Sequence, residues 1–354
     1  MTTFTEPLEL MGVPGSPYTR KMLALLRYKR LNYRLIPGSR WKVKNDSARY
    51  IKRAEPKVRL LPTFYGRDDT GDEVAVCDST PLIRHFDKTF PDRAVIPSNP
   101  ALALVNSIIE DYADEWLTKA MFHYRWKYAA DIEKAGQMLP RWNNITAPDS
   151  IMDEKAKEIS ALQISRLRYV GSNDITRETI ENSYIRILRI LDKHLTNWPF
   201  LLGNRPASSD FAIYGQLTCL ALFDPTPQAL VIKHAPRVYA WTEVLEDLSG
   251  YEILDSDWGD EDGNLKSLTE VLSPLLSEIS DIYIPYLLAN KDSVSTASKT
   301  MNTTLDGREW EQQPFPYQVK CLQALTDEFN ELSQCGREEF DQIASATDIV
   351  CSLS

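Results

Sequence analysis

The hydrophobic pattern of this chain changes once, at FPDRAVIPSNP (90–100), and that change limits the fold more than any other feature. Three prolines without periodicity mark residues 91–100 as a linker. Before it, strand and helix signals alternate. Leu8 to Met11 is an apolar run ending at Gly12, and the turn GVPGSP follows. Pro17 suits the first turn of a helix, where its missing N–H costs nothing, and Tyr18, Met22, Leu25 and Leu26 recur at helical spacing. Asn32 to Ile36, Pro62 to Tyr65 and Glu73 to Val76 read as strands, and Leu82, Ile83 and Phe86 share one side of a further helix. The order β-α-β-(helix or loop)-β-β-α predicts a single small α/β domain over residues 1–90.

Beyond the linker the period is helical. Val105, Ile108, Ile109, Tyr112 and Trp116 form one stripe, and Ile180, Tyr184, Ile187, Leu188, Leu191 and Leu195 another, which predicts an all-helical domain over 101–250. The acidic run DSDWGDEDGN (255–264) reads as a surface loop leading into a helical extension, 251–354. Apolar faces at 265–290 and 315–333 are too large to leave in water at ~25 cal/mol per Å2, so the extension is expected to pack back on the bundle. Within it WEQQPFPYQVKC (310–321) reads as a packed loop and helix start.

Charge separates these regions. The 354 residues carry a net charge of −10, divided as +7 over residues 1–98, −3 over 99–249 and −14 over 250–354. The overall sign argues against nucleic acid as a partner, since phosphate binding needs clustered positive charge. A basic first domain on an acidic chain suits a small anionic ligand; the plain alternative is a solvated basic face. No apolar run approaches the ~20 residues of a membrane span, and MTTFTEPLEL shows no secretory pattern. Five scattered cysteines without a CxxC pair give neither a disulfide framework nor a zinc site, so a reducing cytoplasm is the expected setting. The four histidines have no carboxylate or cysteine at ligand spacing, so no metal is expected, and no GxSxG turn supports a serine hydrolase.

Four features of the first domain carry chemistry. Ser16 stands directly before Pro17 at a helix N-terminus, where backbone N–H groups and the helix dipole favour an anion. Leu61-Pro62 heads a strand, where a cis bond is one reason for a proline in a sheet. Asp78-Ser79 opens another helix and offers a carboxylate and a hydroxyl to an amino acid head group. Arg40-Trp41-Lys42 follows the second strand as a cationic clamp. Read singly, Ser16 and Asp78-Ser79 are ordinary helix caps.

Together these residues resemble the glutathione transferase family over roughly residues 8–247. SPYTRK resembles its active-site turn, LPTF its cis-proline segment, CDSTPLIRHFD its acidic-serine motif, and GNRPASSDFAIYGQL the capping box and central helix of its helical domain. The resemblance implies a thioredoxin-like N-terminal domain, an all-α C-terminal domain and a homodimer, with glutathione as co-substrate. It implies that Ser16 faces the thiol, that Leu61 and Pro62 meet the cysteinyl part, and that Asp78 and Ser79 hold the γ-glutamyl end. Two positions depart from it. Ala207 stands where the capping box has Ser or Thr, with Ser208 or Ser209 as substitute caps, and Leu60 stands where a lysine is common.

A cysteine at position 16 would form mixed disulfides; a serine hydroxyl instead donates to a thiolate, which points to transfer rather than redox chemistry. The second substrate, a small hydrophobic electrophile, is expected over Ser16, against Tyr18 and an aromatic wall of Trp116, Phe122, Tyr124 and Trp126 with one cation, Arg125. A core stripe is the plain reading of Trp116. Conjugation, ether cleavage, dehalogenation and peroxide reduction stay open, and a non-catalytic binding or assembly module is the alternative function.

Overall fold

The computed structural model describes residues 2–37, 53–254, 257–259 and 264–353. Strand β1 (Leu8–Gly12) leads through GVPGSP into helix α1 (Pro17–Tyr28), followed by β2 (Tyr33–Pro37), β3 (Thr63–Arg67), β4 (Glu73–Val76) and α2 (Ser79–Thr89). The strands form one sheet in the order β2-β1-β3-β4, with β2 parallel to β1 and the other pairs antiparallel. Leu10, Met22, Leu25, Leu26, Phe64, Ile83 and Phe86 are fully buried between this sheet and its two helices. This is the thioredoxin-like arrangement expected of the sequence.

The second domain is helical: α3 (Pro100–Asp111), α4 (Thr118–Lys127), α5 (Ala129–Arg141), α6 (Asp149–Ser165), α7 (Arg177–His194), α8 (Ser208–Leu220), α9 (Pro225–His234) and α10 (Pro236–Val244). A π-helical turn, Tyr112–Leu117, joins α3 to α4. Helix α8 is buried on every side, its polar residues Ser208, Asp210, Gln216 and Thr218 included, as in a helix enclosed by the core. It crosses α1 at backbone distance: a Cβ on Gly215 would lie 2.6 Å from the Pro17 carbonyl oxygen. Only glycine permits that approach.

At the head of α8 the departure at Ala207 does not move the cap. Ala207 is itself the N-cap residue, and Asp210 accepts from its N–H at 2.8 Å and from that of Leu201 at 2.9 Å. Ser208 is not a substitute cap: its hydroxyl donates to Glu110 at 2.6 Å.

Residues 264–353 add α11 (Asn264–Glu278), α12 (Ile284–Ser295), a hairpin of β5 (Met301–Leu305) and β6 (Arg308–Gln312), α13 (Pro316–Glu331), α14 (Gln334–Ile343) and α15 (Ile349–Leu353). The hairpin departs from the all-helical reading of the extension. Its alternating burial (Met301, Leu305, Trp310 and Gln312 inward) is a period of two over strands of only five residues. Leu272, Leu276, Ile282, Trp310, Leu325 and Phe340 belong to the same hydrophobic core as Trp116, Tyr184 and Leu217 of the bundle. No helix among the described residues is long and apolar enough to cross a membrane.

Candidate functional site

Sheet register brings the sequence motifs to one end of the first domain. Met11 pairs with Thr63 and Phe64 with Val76, so the loop after β1, the approach to β3 and the exit from β4 lie side by side. The Leu61-Pro62 bond is cis. Ser16 is the N-cap of α1, accepting from the Thr19 N–H at 3.2 Å, and its hydroxyl donates to the Leu61 carbonyl at 3.3 Å. One side chain thus touches both the helix N-terminus and the residue before the cis-proline.

The bundle fixes this turn from behind. Arg125 donates to the Gly15 carbonyl at 3.1 Å while forming a buried ion pair with Asp224. The Trp142 ring lies so close to Gly15 that an added Cβ would stand 2.3 Å from it.

At the other side of the same sheet end, Asp78 adopts φ +90°, a left-handed value unusual for a residue with a side chain, and makes no side-chain capping bond to α2. Ser79 is buried at the first position of that helix. The Asp78 carboxylate instead accepts from the hydroxyl of Tyr317, at 2.9 Å. Tyr317 belongs to α13, far outside the motifs. Its signal in the sequence was the aromatic-proline run WEQQPFPY, which does not say which distant residue it meets. Leu60 is 54% exposed beside this end of the sheet. Arg40, Trp41 and Lys42 lie outside the described residues.

The aromatic wall expected over Ser16 is built otherwise. Trp116 is buried, donates to Ser183 at 2.9 Å, and packs against Trp310, Tyr283 and Tyr286 of the extension. Tyr124 is buried between Tyr128 and Tyr184, and Phe122 is half-buried against Trp126. Arg125 spends its charge on Asp224. Helix α4 is enclosed on most of its sides, so its polar members pair inside the protein: His123 with Ser172 and Glu181, and Lys119 with Tyr286 and Gln312. Dense charges and aromatics there mark a buried network rather than an open surface.

Tyr18 turns toward the π-helical segment, donating to the Asp114 carbonyl at 2.7 Å. Burial, with Glu115 and Asp114 nearby, holds its phenol well above the usual tyrosine range. Beneath it lies a buried charge cluster. Lys21, fully buried, donates to Glu110 at 2.8 Å and Asp114 at 2.6 Å, and Arg84 reaches Glu110 at 2.9 Å. Burial alone would raise Glu110, but Lys21 and Arg84 outweigh it and bring its pKa down to about 2. Burial dominates at Asp114, which also faces Glu110, and its pKa rises to about 6. Carboxylates set within the apolar stripe 105–116 were the available sign of this cluster. Among the described residues no group of His, Cys, Asp and Glu is arranged to hold a metal ion.

Residues 10–94 match the family model of the glutathione S-transferase N-terminal domain. The chain carries a glutathione S-transferase N-terminal domain. That domain spans β1 to the linker, and so contains Ser16, Leu61-Pro62 and Asp78-Ser79. Solved structures similar to part of the chain include a glutathione S-transferase from Methylobacterium radiotolerans in complex with glutathione sulfonate (18% identity, covering 68% of this chain and 90% of that one, TM-score 0.40). A glutathione S-transferase from Rhodospirillum rubrum is 15% identical, covering 71% of this chain and 95% of that one, at a TM-score of 0.39. A glutathione transferase family member from Pseudomonas fluorescens, solved with two glutathione bound, is 13% identical over 67% of this chain and 87% of that one, also at 0.39. No curated protein matches the chain.

Proposed function

We propose that the chain is a glutathione-dependent transferase in which Ser16 holds the glutathione thiolate for attack on a hydrophobic electrophile. The observation that carries this reading is the position of the Ser16 hydroxyl, at the N-cap of α1 and 3.3 Å from the Leu61 carbonyl, in a glutathione S-transferase domain. The contact to Leu61 is long for a hydroxyl bond, so rotation toward an incoming sulfur gives up little. A free thiol has a pKa of ~8.5; a hydroxyl donor and a helix N-terminus both favour its anion. The thiol proton then passes to water, sulfur forms its bond to the electrophilic carbon, and the leaving group departs with its electron pair. Leu61 and Pro62 would meet the cysteinyl part, and Asp78 and Ser79 the ammonium and carboxylate of the γ-glutamyl end. Arg40, Trp41 and Lys42 remain a proposed cationic clamp for glutathione. A reducing cytoplasm and a homodimer are part of this reading.

Replacing Ser16 by Ala tests it. Glutathione should still bind, because its charged ends are held elsewhere, while turnover with a chlorinated dinitrobenzene falls and the pKa of the bound thiol, followed by ultraviolet absorbance, rises toward ~8.5. Loss of the cap costs about 0.5–2 kcal/mol of stability. A variant that conjugates as fast as the parent at neutral pH would remove Ser16 from the chemistry. The exposed Leu60, at a place where a lysine would meet a ligand carboxylate, favours a second reading as a non-catalytic binding or assembly module. Retention on immobilised glutathione without turnover would select it.

A further inference from the structure

The extension reaches Asp78, at the γ-glutamyl end of the proposed glutathione site. The Tyr317 hydroxyl reaches Asp78 Oδ2 at 2.9 Å across 239 positions of sequence. Asp78 does not use its carboxylate to cap α2, so this contact orients it.

The start of α13 is a fixed element rather than a swinging lid. The side chain of Asn290, fully buried on α12, donates to the Phe315 carbonyl at 3.0 Å and accepts from the Phe315 N–H at 2.8 Å. One residue beyond Tyr317, Gln318 donates to Glu115 at 2.9 Å and accepts from Tyr286 at 2.5 Å. Tyr317 is therefore held on both sides by buried polar contacts. A carboxylate offers about four acceptor positions on two oxygens, so Oδ1 stays available to a ligand ammonium while Oδ2 holds the phenol. Partial burial and the Asp78 charge raise the Tyr317 pKa, which keeps the phenol a donor at every working pH.

Resting on the glutathione reading of the site, we infer that Tyr317 is a positioning residue for glutathione: the extension sets the Asp78 carboxylate to receive the ligand's α-ammonium. The extension thereby makes recognition depend on that amino group. Tyr317→Phe keeps the ring and its packing and removes only the hydroxyl.

The test is calorimetric titration of the full chain and of Tyr317→Phe with glutathione and with its glutaryl analogue, which lacks the α-amino group. Glutathione should bind the variant about three- to tenfold more weakly, the span of one hydrogen bond, whereas the analogue should bind both proteins alike. A purely structural role would weaken both ligands together and overturn the inference. Tighter glutathione binding by the variant would make Tyr317 a competitor for Asp78, and equal binding would make it irrelevant; either outcome overturns it while leaving the site reading intact. A parent chain that binds no glutathione would defeat the site reading and this inference with it.

Discussion

The first domain and the extension both seal against the bundle, by different electrostatic means. Against the first domain the bundle presents carboxylates to cations: Glu110 and Asp114 to Lys21, Glu110 to Arg84, and Glu246 to Arg20 and Arg27 at 2.6 Å each. Arg30 adds Glu252 at 3.0 Å. The positive charge of the N-terminal region is in good part consumed by this contact. The extension pairs Arg186 with Glu278 at its rim. Beneath α13, however, Asp111 takes the Tyr283 hydroxyl at 2.6 Å and Glu115 the Gln318 amide, both neutral donors. Burial, reinforced by Asp114 at the one and by Asp111 at the other, pushes Asp111 up to about 7 and Glu115 up to about 8. At Glu110 two cations outweigh burial, whereas at Asp111 and Glu115, bonded to neutral donors, burial wins.

The sharpest break in this contrast is Lys21→Met. It leaves Glu110 and Asp114 buried without their shared ammonium, and removing one partner of a buried pair costs about 3–5 kcal/mol. Thermal unfolding should show a large drop, partly recovered by adding Glu110→Gln. A variant as stable as the parent would mean that Lys21 contributes no more than its packing.

A smaller effect separates the two seams by pH. The folded chain keeps protons on Asp111 and Glu115 that an unfolded chain releases near pH 4, so their contribution to stability declines as pH rises from about 4 through 7–8. Asp114 and Asp210, raised to about 6 and 7, act in the same direction, whereas burial lowers Lys119 to about 7, so that stability is regained above that point. The midpoint temperature should therefore fall by a few degrees between pH 5.5 and 8, and Glu115→Gln should flatten that fall. An equal slope in the variant would show that Glu115 is already ionised at pH 5.5.

The smallest effect belongs to the rim of the first seam. The Glu246 side chain is 35% exposed, so Glu246→Gln should cost only about 0–1 kcal/mol despite two arginine partners, and less in high salt. A loss comparable to that of Lys21→Met would make the rim, not the buried cluster, the main fastening.

Much of the first domain was legible because its signals are local: a turn, a proline at a helix start, alternating strands, a serine before α1. The same holds for the order of the site motifs, which the sheet register gathers at one end. What was hidden is long-range. Nothing near Tyr317 indicates Asp78, and nothing in MFHYRWKY distinguishes a pocket lining from a helix buried on most sides. The hairpin at 301–312 escaped because two five-residue strands carry too few alternations to compete with helical neighbours. The Lys21 cluster was hidden for the same reason, since a lone lysine beside Met22 does not announce two distant carboxylates.

Backbone-close contacts behind Ser16 bear on whether the first domain is portable. Gly15 is pressed by Trp142 and held by Arg125, and α1 meets α8 at Gly215 without room for a methyl group. A graft of the first domain onto an unrelated helical partner would carry the sheet and every motif residue with it, yet leave behind the template that aims the serine. Recombination between such chains is therefore expected to succeed only when α8 and the end of α5 travel with the domain they shape.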